Sequence, residues 1–312
     1  MLHRRDFLAA AAAVVAASSL NAANTVRAFG VQLYTVAEAA NRDLEGTLRR
    51  IAQIGYREIE LGSLYGREPD AIRSLAEHFA LRIPSVHVSA GAIGATGPLS
   101  LEGDLPRLAA TVRAFGATHA VLSLAPLDEL PRPRPGETFQ AAISRLANAG
   151  GVAGWQRLAE TLDTRGAALR REGVTLGYHN HNLEFLPLGD TCGWETLVAE
   201  SDPGHLDFEL DVGWVAAAGR DPVKLLRRHG ARISQLHLKD IAATTRSNYV
   251  LQQDPATVGK GSIAWRALLA AARKAGVRHS YVEQEPPFII DRFEAIARSF
   301  RYLHAIDGGG RP

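Results

Sequence analysis

Short apolar runs and helical stretches alternate eight times along this chain, always in that order. The runs are AFGVQLYTV at 28–36, EIELG at 58–62, IPSVHVSA at 83–90, HAVLSLA at 119–125, VTLGYHNH at 174–181, FELDVGW at 208–214, ISQLHLKD at 233–240 and SYVEQE at 280–285. Between them apolar residues recur with a helical period, as Leu44, Leu48, Ile51 and Ile54 do in the first stretch. Gly55, Gly116, Gly173, Gly230 and Gly276 close several of these stretches, where a left-handed cap is expected. Strand–helix units repeated in one direction predict a parallel sheet closed into a (β/α)8 TIM barrel, a single domain over residues 25–312. An open doubly wound sheet needs the same alternation. No G-x-G-x-x-G follows the first strand, however, which argues against a dinucleotide-binding version. Two long connections, 126–153 and 241–262, follow strand C-termini, where barrels build sites and lids.

Residues 1–24 follow a different pattern. Arg4 and Arg5 precede Asp6, Phe7, Leu8 and an Ala/Val run ending at Ala17. That run falls short of the roughly 20 apolar residues that span a bilayer. Small residues follow in NAAN at 21–24, completing the pattern of a secretory signal. The paired arginines resemble a twin-arginine export signal. The expectation is a periplasmic protein, exported already folded, with no stable membrane association after signal removal. A single cysteine, Cys192, agrees with this, since it allows neither a disulfide framework nor a cysteine zinc cluster. Lys+Arg 35 against Asp+Glu 33 gives a formal net charge of +2, and no basic run emerges. Nucleic acid is therefore not an expected partner, while a homo-oligomer is compatible with the sequence.

Ionisable residues gather where the predicted strands end. The second strand carries Glu60, the third His87, the fifth His179 and His181 with Glu184 just beyond. The sixth carries Asp211, the seventh His237, Lys239 and Asp240, and the eighth Glu283 and Glu285. In a barrel these ends meet in one mouth, and residues two apart on a strand share a face. Taken singly, each has a structural reading: Asp211 as a turn cap, His237 as a satisfied core histidine, Lys239 as half of a salt bridge with Asp240. Carboxylates and imidazoles crowded together need an organiser, and a divalent cation is their natural one. A nitrogen and oxygen donor set suits Mn, Co, Fe, Zn or Mg.

The segments GVQLYT, EIEL, YHNHNLEF, LDVGW, HLKD, GKGSIAW and YVEQE occur in this order over residues 28–306. They resemble the sugar phosphate isomerase/epimerase family of the xylose-isomerase-like TIM-barrel superfamily. The resemblance implies one divalent metal held by a strand-five Glu, a strand-six Asp, a strand-seven His and a strand-eight Glu. Asp211, His237 and Glu283 match. Counted from Gly173, the strand-five position falls on His179, which departs from the family's Glu. His179 is the expected ligand there, with His181 and Glu184 as alternatives.

The activity implied is a metal-dependent isomerase or epimerase acting on a small carbohydrate, a sugar or ketosugar. A metal stabilises the enediolate formed when a base removes a proton beside a carbonyl. Glu283, Glu60 and His87 are the candidate catalytic groups, while Glu184, His181, Lys239 and Trp214 are candidates for substrate contact. Loss of a β-substituent would instead make the enzyme a lyase or hydratase on 3-keto-glycosides or related ketosugars. A non-catalytic periplasmic sugar-binding barrel is a third reading.

Overall fold

A computed structural model describes residues 28–92 and 97–308, so the proposed export signal at residues 1–24 lies outside the described residues. The strands are β1 (Gly30–Gln32), β2 (Glu58–Leu61), β3 (Arg82–Val88), β4 (His119–Leu122), β5 (Thr175–His179), β6 (Leu206–Asp211), β7 (Ile233–Leu238) and β8 (His279–Val282). Each pairs in parallel with its sequence neighbours, and β8 pairs with β1 to close the barrel. Outer helices are α1 (Leu44–Ile54), α2 (Pro69–His78), α3 (Leu105–Ala114), α4 (Gly151–Arg171), α5 (Gly193–Glu200), α6 (Pro222–His229), α7 (Trp265–Ala275) and α8 (Arg292–Asp307). The expected single-domain (β/α)8 TIM barrel is therefore the architecture found.

The two faces of the strands differ in chemistry. Residues such as Ile59, Leu61, Val86, Val88, Leu176, Phe208, Leu210, Leu236, Leu238 and Val282 belong to one buried apolar core with the helices. The alternate positions carry Gln32, Glu60, Ser85, His179, Glu209, Asp211, Gln235, His237 and Glu283, all buried. Barrel interiors are usually filled by layers of branched apolar side chains. This one is filled by hydrogen-bonding groups, so nearly every interior side chain must find a polar partner.

Gly276 adopts the left-handed conformation (φ +76°) expected of a helix-closing glycine. Gly230 departs from that expectation. Its φ is −55°, and it leads into a short 3-10 turn, Gly230–Arg232, instead of a left-handed stop. The long connection after β7 is organised by Asp240. Its Oδ1 accepts from the Ile241 and Ile263 amides at 3.0 and 3.2 Å. Its Oδ2 accepts from the Gly259 and Gly261 amides and the Trp265 indole at 2.9, 3.0 and 2.8 Å. Asp240 thus faces its own loop, and the suggested pairing with Lys239 is replaced by these contacts.

Removing this acceptor strands two buried donors, the Ile241 amide and the Trp265 indole, each at a cost of about 1–3 kcal/mol, and frees three part-buried amides. Asp240→Ala should lower the melting temperature by on the order of 5–10 °C. It should also expose residues 241–262 to limited proteolysis, which a melt and a digestion time course would check together.

Candidate metal and active site

The octapeptide after β5 is built from side chains that work in different directions. Asn180 Oδ1 accepts from the Asp211 amide at 3.0 Å, tying the end of β5 to the end of β6. Asn182 Nδ2 donates to Asn248 Oδ1 at 2.8 Å, and its Oδ1 accepts from the Leu251 amide at 3.0 Å, which anchors the β7 loop. Glu184 accepts from the Tyr178 hydroxyl at 2.8 Å and from the His181 amide at 2.9 Å, closing the turn on itself. With those residues engaged, His179 and His181 are left on the wall of the barrel mouth. Their rings lie 5.0 Å apart, and His181 rests 5.4 Å from the Trp214 ring.

At the mouth, Asp211, His237 and Glu283 each offer a ligand atom, and these atoms lie within 4.8 Å of one another. His237 Nδ1 is 3.0 Å from Glu283 Oε2 and 3.9 Å from Asp211 Oδ2. His179 Nε2 is 4.0 Å from the same Asp211 oxygen. Donors bound at roughly 2.0–2.2 Å to one ion lie about 3–4 Å apart, so these spacings suit a first-row divalent cation. Asp211 divides its labour. Oδ1 accepts from the Trp214 amide at 2.9 Å and caps the short helix Val212–Ala217. Oδ2 is buried and makes no hydrogen bond of good geometry among the described residues; its charged neighbour is the Lys239 ammonium at 3.1 Å, an ion pair that leaves a second lone pair for a cation.

Lys239 stands beside this set. Its Nζ lies 3.1 Å from Asp211 Oδ2, 2.9 Å from Glu283 Oε2 and 2.9 Å from Glu285 Oε1, and 4.8 Å from the Trp214 ring centre. Burial disfavours the ammonium, but Asp211, Glu283 and Glu285 outweigh it and hold Lys239 well above its ordinary value. Gly213 makes room for the lysine, since a Cβ there would meet Lys239 Cγ at 2.7 Å and the Lys239 carbonyl at 3.0 Å.

A second layer lies under the first. Glu209 Oε2 is 2.9 Å from His87 Nε2, 3.1 Å from His179 Nδ1 and 3.0 Å from His237 Nε2. Glu60 joins it, with Oε2 2.6 Å from His237 Nε2 and 2.8 Å from the Gln32 amide nitrogen, and Oε1 accepting from Ser85 at 2.6 Å. Burial lowers His87, but Glu60 and Glu209 raise it further, to about 10. Burial together with His179 and Lys239 holds His181 well below its usual value, leaving it neutral.

Most of the expected residues meet at one place: His179, His181, Asp211, Trp214, His237, Lys239 and Glu283. Three of the candidates are engaged by other groups. Glu60 is fully buried behind His237 with both oxygens engaged, so it does not reach a substrate as a base. Glu184 is fully buried with both oxygens holding its own turn, so it offers none to a sugar. His87 contacts both lower carboxylates, Glu60 at 3.2 Å and Glu209 at 2.9 Å, which favour its charged form. Glu209 was missed. It lies two residues before Asp211 on β6, and the two-residue period of a strand is the signal that would have found it.

A family model described as a xylose isomerase-like TIM barrel matches residues 48–305. An inosose dehydratase of Geobacillus kaustophilus is 24% identical over 206 residues, 62% of this chain and 61% of that protein. The match thus spans about three fifths of that curated relative. A sugar phosphate isomerase/epimerase from Parabacteroides distasonis superposes with a TM-score of 0.71 at 21% identity, covering 90% of this chain and 94% of that one. The IolI protein, solved with a bound zinc atom, gives a TM-score of 0.59 at 14% identity, covering 90% and 98%.

Asp211→Asn should leave the barrel folded by circular dichroism. It should weaken Co²⁺ binding by more than the roughly 100-fold that loss of a supporting partner costs. His179→Ala should also weaken it in the same titration, and unchanged affinity in that variant would remove His179 from the ligand set.

Proposed function

The chain belongs to the xylose isomerase-like TIM barrel family, and from that premise we propose a divalent-metal-dependent enzyme that removes a proton beside the carbonyl of an unphosphorylated sugar ketone. The observation that carries this reading is the convergence of Asp211, His237 and Glu283, with the Lys239 ammonium 2.9 Å from Glu283. A divalent ion held by Asp211, His237 and Glu283, with His179 as fourth ligand, would act as a Lewis acid on the carbonyl and neighbouring hydroxyl. The zinc in the IolI structure supports an ion in a barrel of this shape.

The side chains have distinct duties. Glu283 is the carboxylate for the proton. Its contacts with His237 and Lys239 both fall on Oε2, which leaves Oε1 to act. Lys239, held charged by three carboxylates, is a fixed donor for the oxygen on which negative charge develops. With a divalent ion held, the three carboxylates Asp211, Glu283 and Glu285 are balanced by the ion and Lys239, so the mouth carries no surplus positive charge to hold a phosphate, which favours an unphosphorylated substrate. Trp214 and the neutral His181 offer ring surface on the opposite wall.

Of the possible outcomes we favour elimination. The proton goes to Glu283, the electron pair of the broken C–H bond becomes the new C=C bond, and the β-hydroxyl leaves with the electrons of its C–O bond, taking the proton back from Glu283 to depart as water. The name of the Geobacillus relative, a dehydratase, supports this choice. Isomerisation or epimerisation is the second reading, supported by the name of the Parabacteroides neighbour, and shares the first step. The proposal includes export to the periplasm, on the strength of the segment at residues 1–24.

Incubating the metal-loaded protein in D₂O with cyclic polyol ketones and ketohexoses tests this. Solvent deuterium at the carbon beside the carbonyl is expected, with loss of water if elimination follows. A panel that yields neither exchange nor product would overturn the reading. Lys239→Met should lower kcat by about 10²–10³-fold, as loss of one oxyanion donor does, while metal content by elemental analysis stays unchanged.

A further inference from the structure

We propose that Glu209 is the positioning residue of this site, one carboxylate oxygen that sets opposite tautomers on His179 and His237 and so turns both rings toward the ion. The inference rests on the metal reading above.

Glu209 is fully buried on β6, two residues before Asp211 and on the same face of the strand. A buried carboxylate costs several kcal/mol unless it is paired. Its Oε1 makes no hydrogen bond among the described residues, so the pairing runs through Oε2. That oxygen meets His179 at Nδ1, 3.1 Å away, and His237 at Nε2, 3.0 Å away. The nitrogens facing the mouth are the other two, His179 Nε2 at 4.0 Å from Asp211 and His237 Nδ1 at 3.0 Å from Glu283.

A neutral imidazole carries one N–H. The nitrogen that faces a carboxylate keeps it, and the lone pair is left on the other for a metal. On His179 only Nδ1 lies at hydrogen-bond distance from a carboxylate, which gives Nδ1–H. On His237 both nitrogens face carboxylates, Glu283 at Nδ1 and Glu209 with Glu60 at Nε2, and with Nδ1 and Glu283 turned to one ion the proton is left on Nε2. Glu60, 2.6 Å from His237 Nε2, reinforces the second assignment. His87 Nε2, 2.9 Å from the same Glu209 oxygen, closes the third side and restrains the carboxylate from rotating. Its ring stacks on His237 at 5.4 Å between centres, 10° from parallel. Since Glu209 and Asp211 share a strand, the supporting carboxylate and a ligand carboxylate are fixed by the same backbone.

The test uses the full chain labelled with ¹⁵N-histidine and loaded with Zn²⁺. Long-range ¹H–¹⁵N spectra are expected to give the proton on Nδ1 for His179 and on Nε2 for His237. Zinc bound with both rings in the same tautomer, or with the pair reversed, overturns the inference and leaves the metal reading standing. Uptake of neither Zn²⁺ nor Co²⁺ overturns both. In Glu209→Gln, Co²⁺ affinity should fall by about 10–100-fold and the cobalt absorption bands should shift. Glu209→Asp, which keeps the charge, should restore part of the loss. A folded Glu209→Gln protein with wild-type affinity and spectrum would show Glu209 to be packing only, and the tautomer measurement on the unaltered chain decides the matter if that variant does not fold.

Discussion

Carboxylates sealed inside a barrel must be neutralised where water does not reach them. Glu60, Glu209, Asp211 and Glu283 are buried, Glu285 is half-buried at the rim, and Lys239 is the ammonium among them. The structure handles this charge in two layers. Below, Glu60 and Glu209 are met by the imidazoles of His87, His179 and His237. Above, Asp211 and Glu283 face Lys239 and a cluster of donors spaced for a cation. His237 belongs to both layers, one ring nitrogen in each, so electrostatic changes above are felt below.

This division explains what was legible in the sequence. The eight units were, because the outward face of each strand is apolar and a helical period follows it. Asp211, His237 and Glu283 were, because they end their strands, where a polar residue has reason to point into the mouth. Glu209 lies between Phe208 and Leu210, where a carboxylate reads as the wet face of a half-buried strand. Only its spacing from Asp211 places it inside. Glu60 and Glu184 have the right chemistry for a base or a sugar contact, but their oxygens are taken by Gln32, Ser85 and His237 in one case and by Tyr178 and the His181 amide in the other. For Glu60 these partners come from distant turns of the barrel. No local pattern reports that a group is already spoken for.

YHNHNLEF shows how a short segment serves several masters. Its histidines face the mouth, Asn180 fastens β5 to β6, Asn182 fastens the segment to the β7 loop, and Glu184 secures the turn. A density of polar groups that looks wasteful in a core is what a wall needs when every neighbour must be held by hydrogen bonds instead of by apolar contact.

Gly213 carries a consequence of another kind. The bare α-carbon there is the slot through which the lysine stem reaches the rim, and an added carbon would come within 3 Å of the lysine Cβ and Cγ. The two positions are therefore coupled by contact. A side chain at residue 213 would need residue 239 shortened or redirected, which would exchange a charged mouth for an open one. Glycine in DVGW is thus a gatekeeper for which polar partners this barrel can evolve to accept.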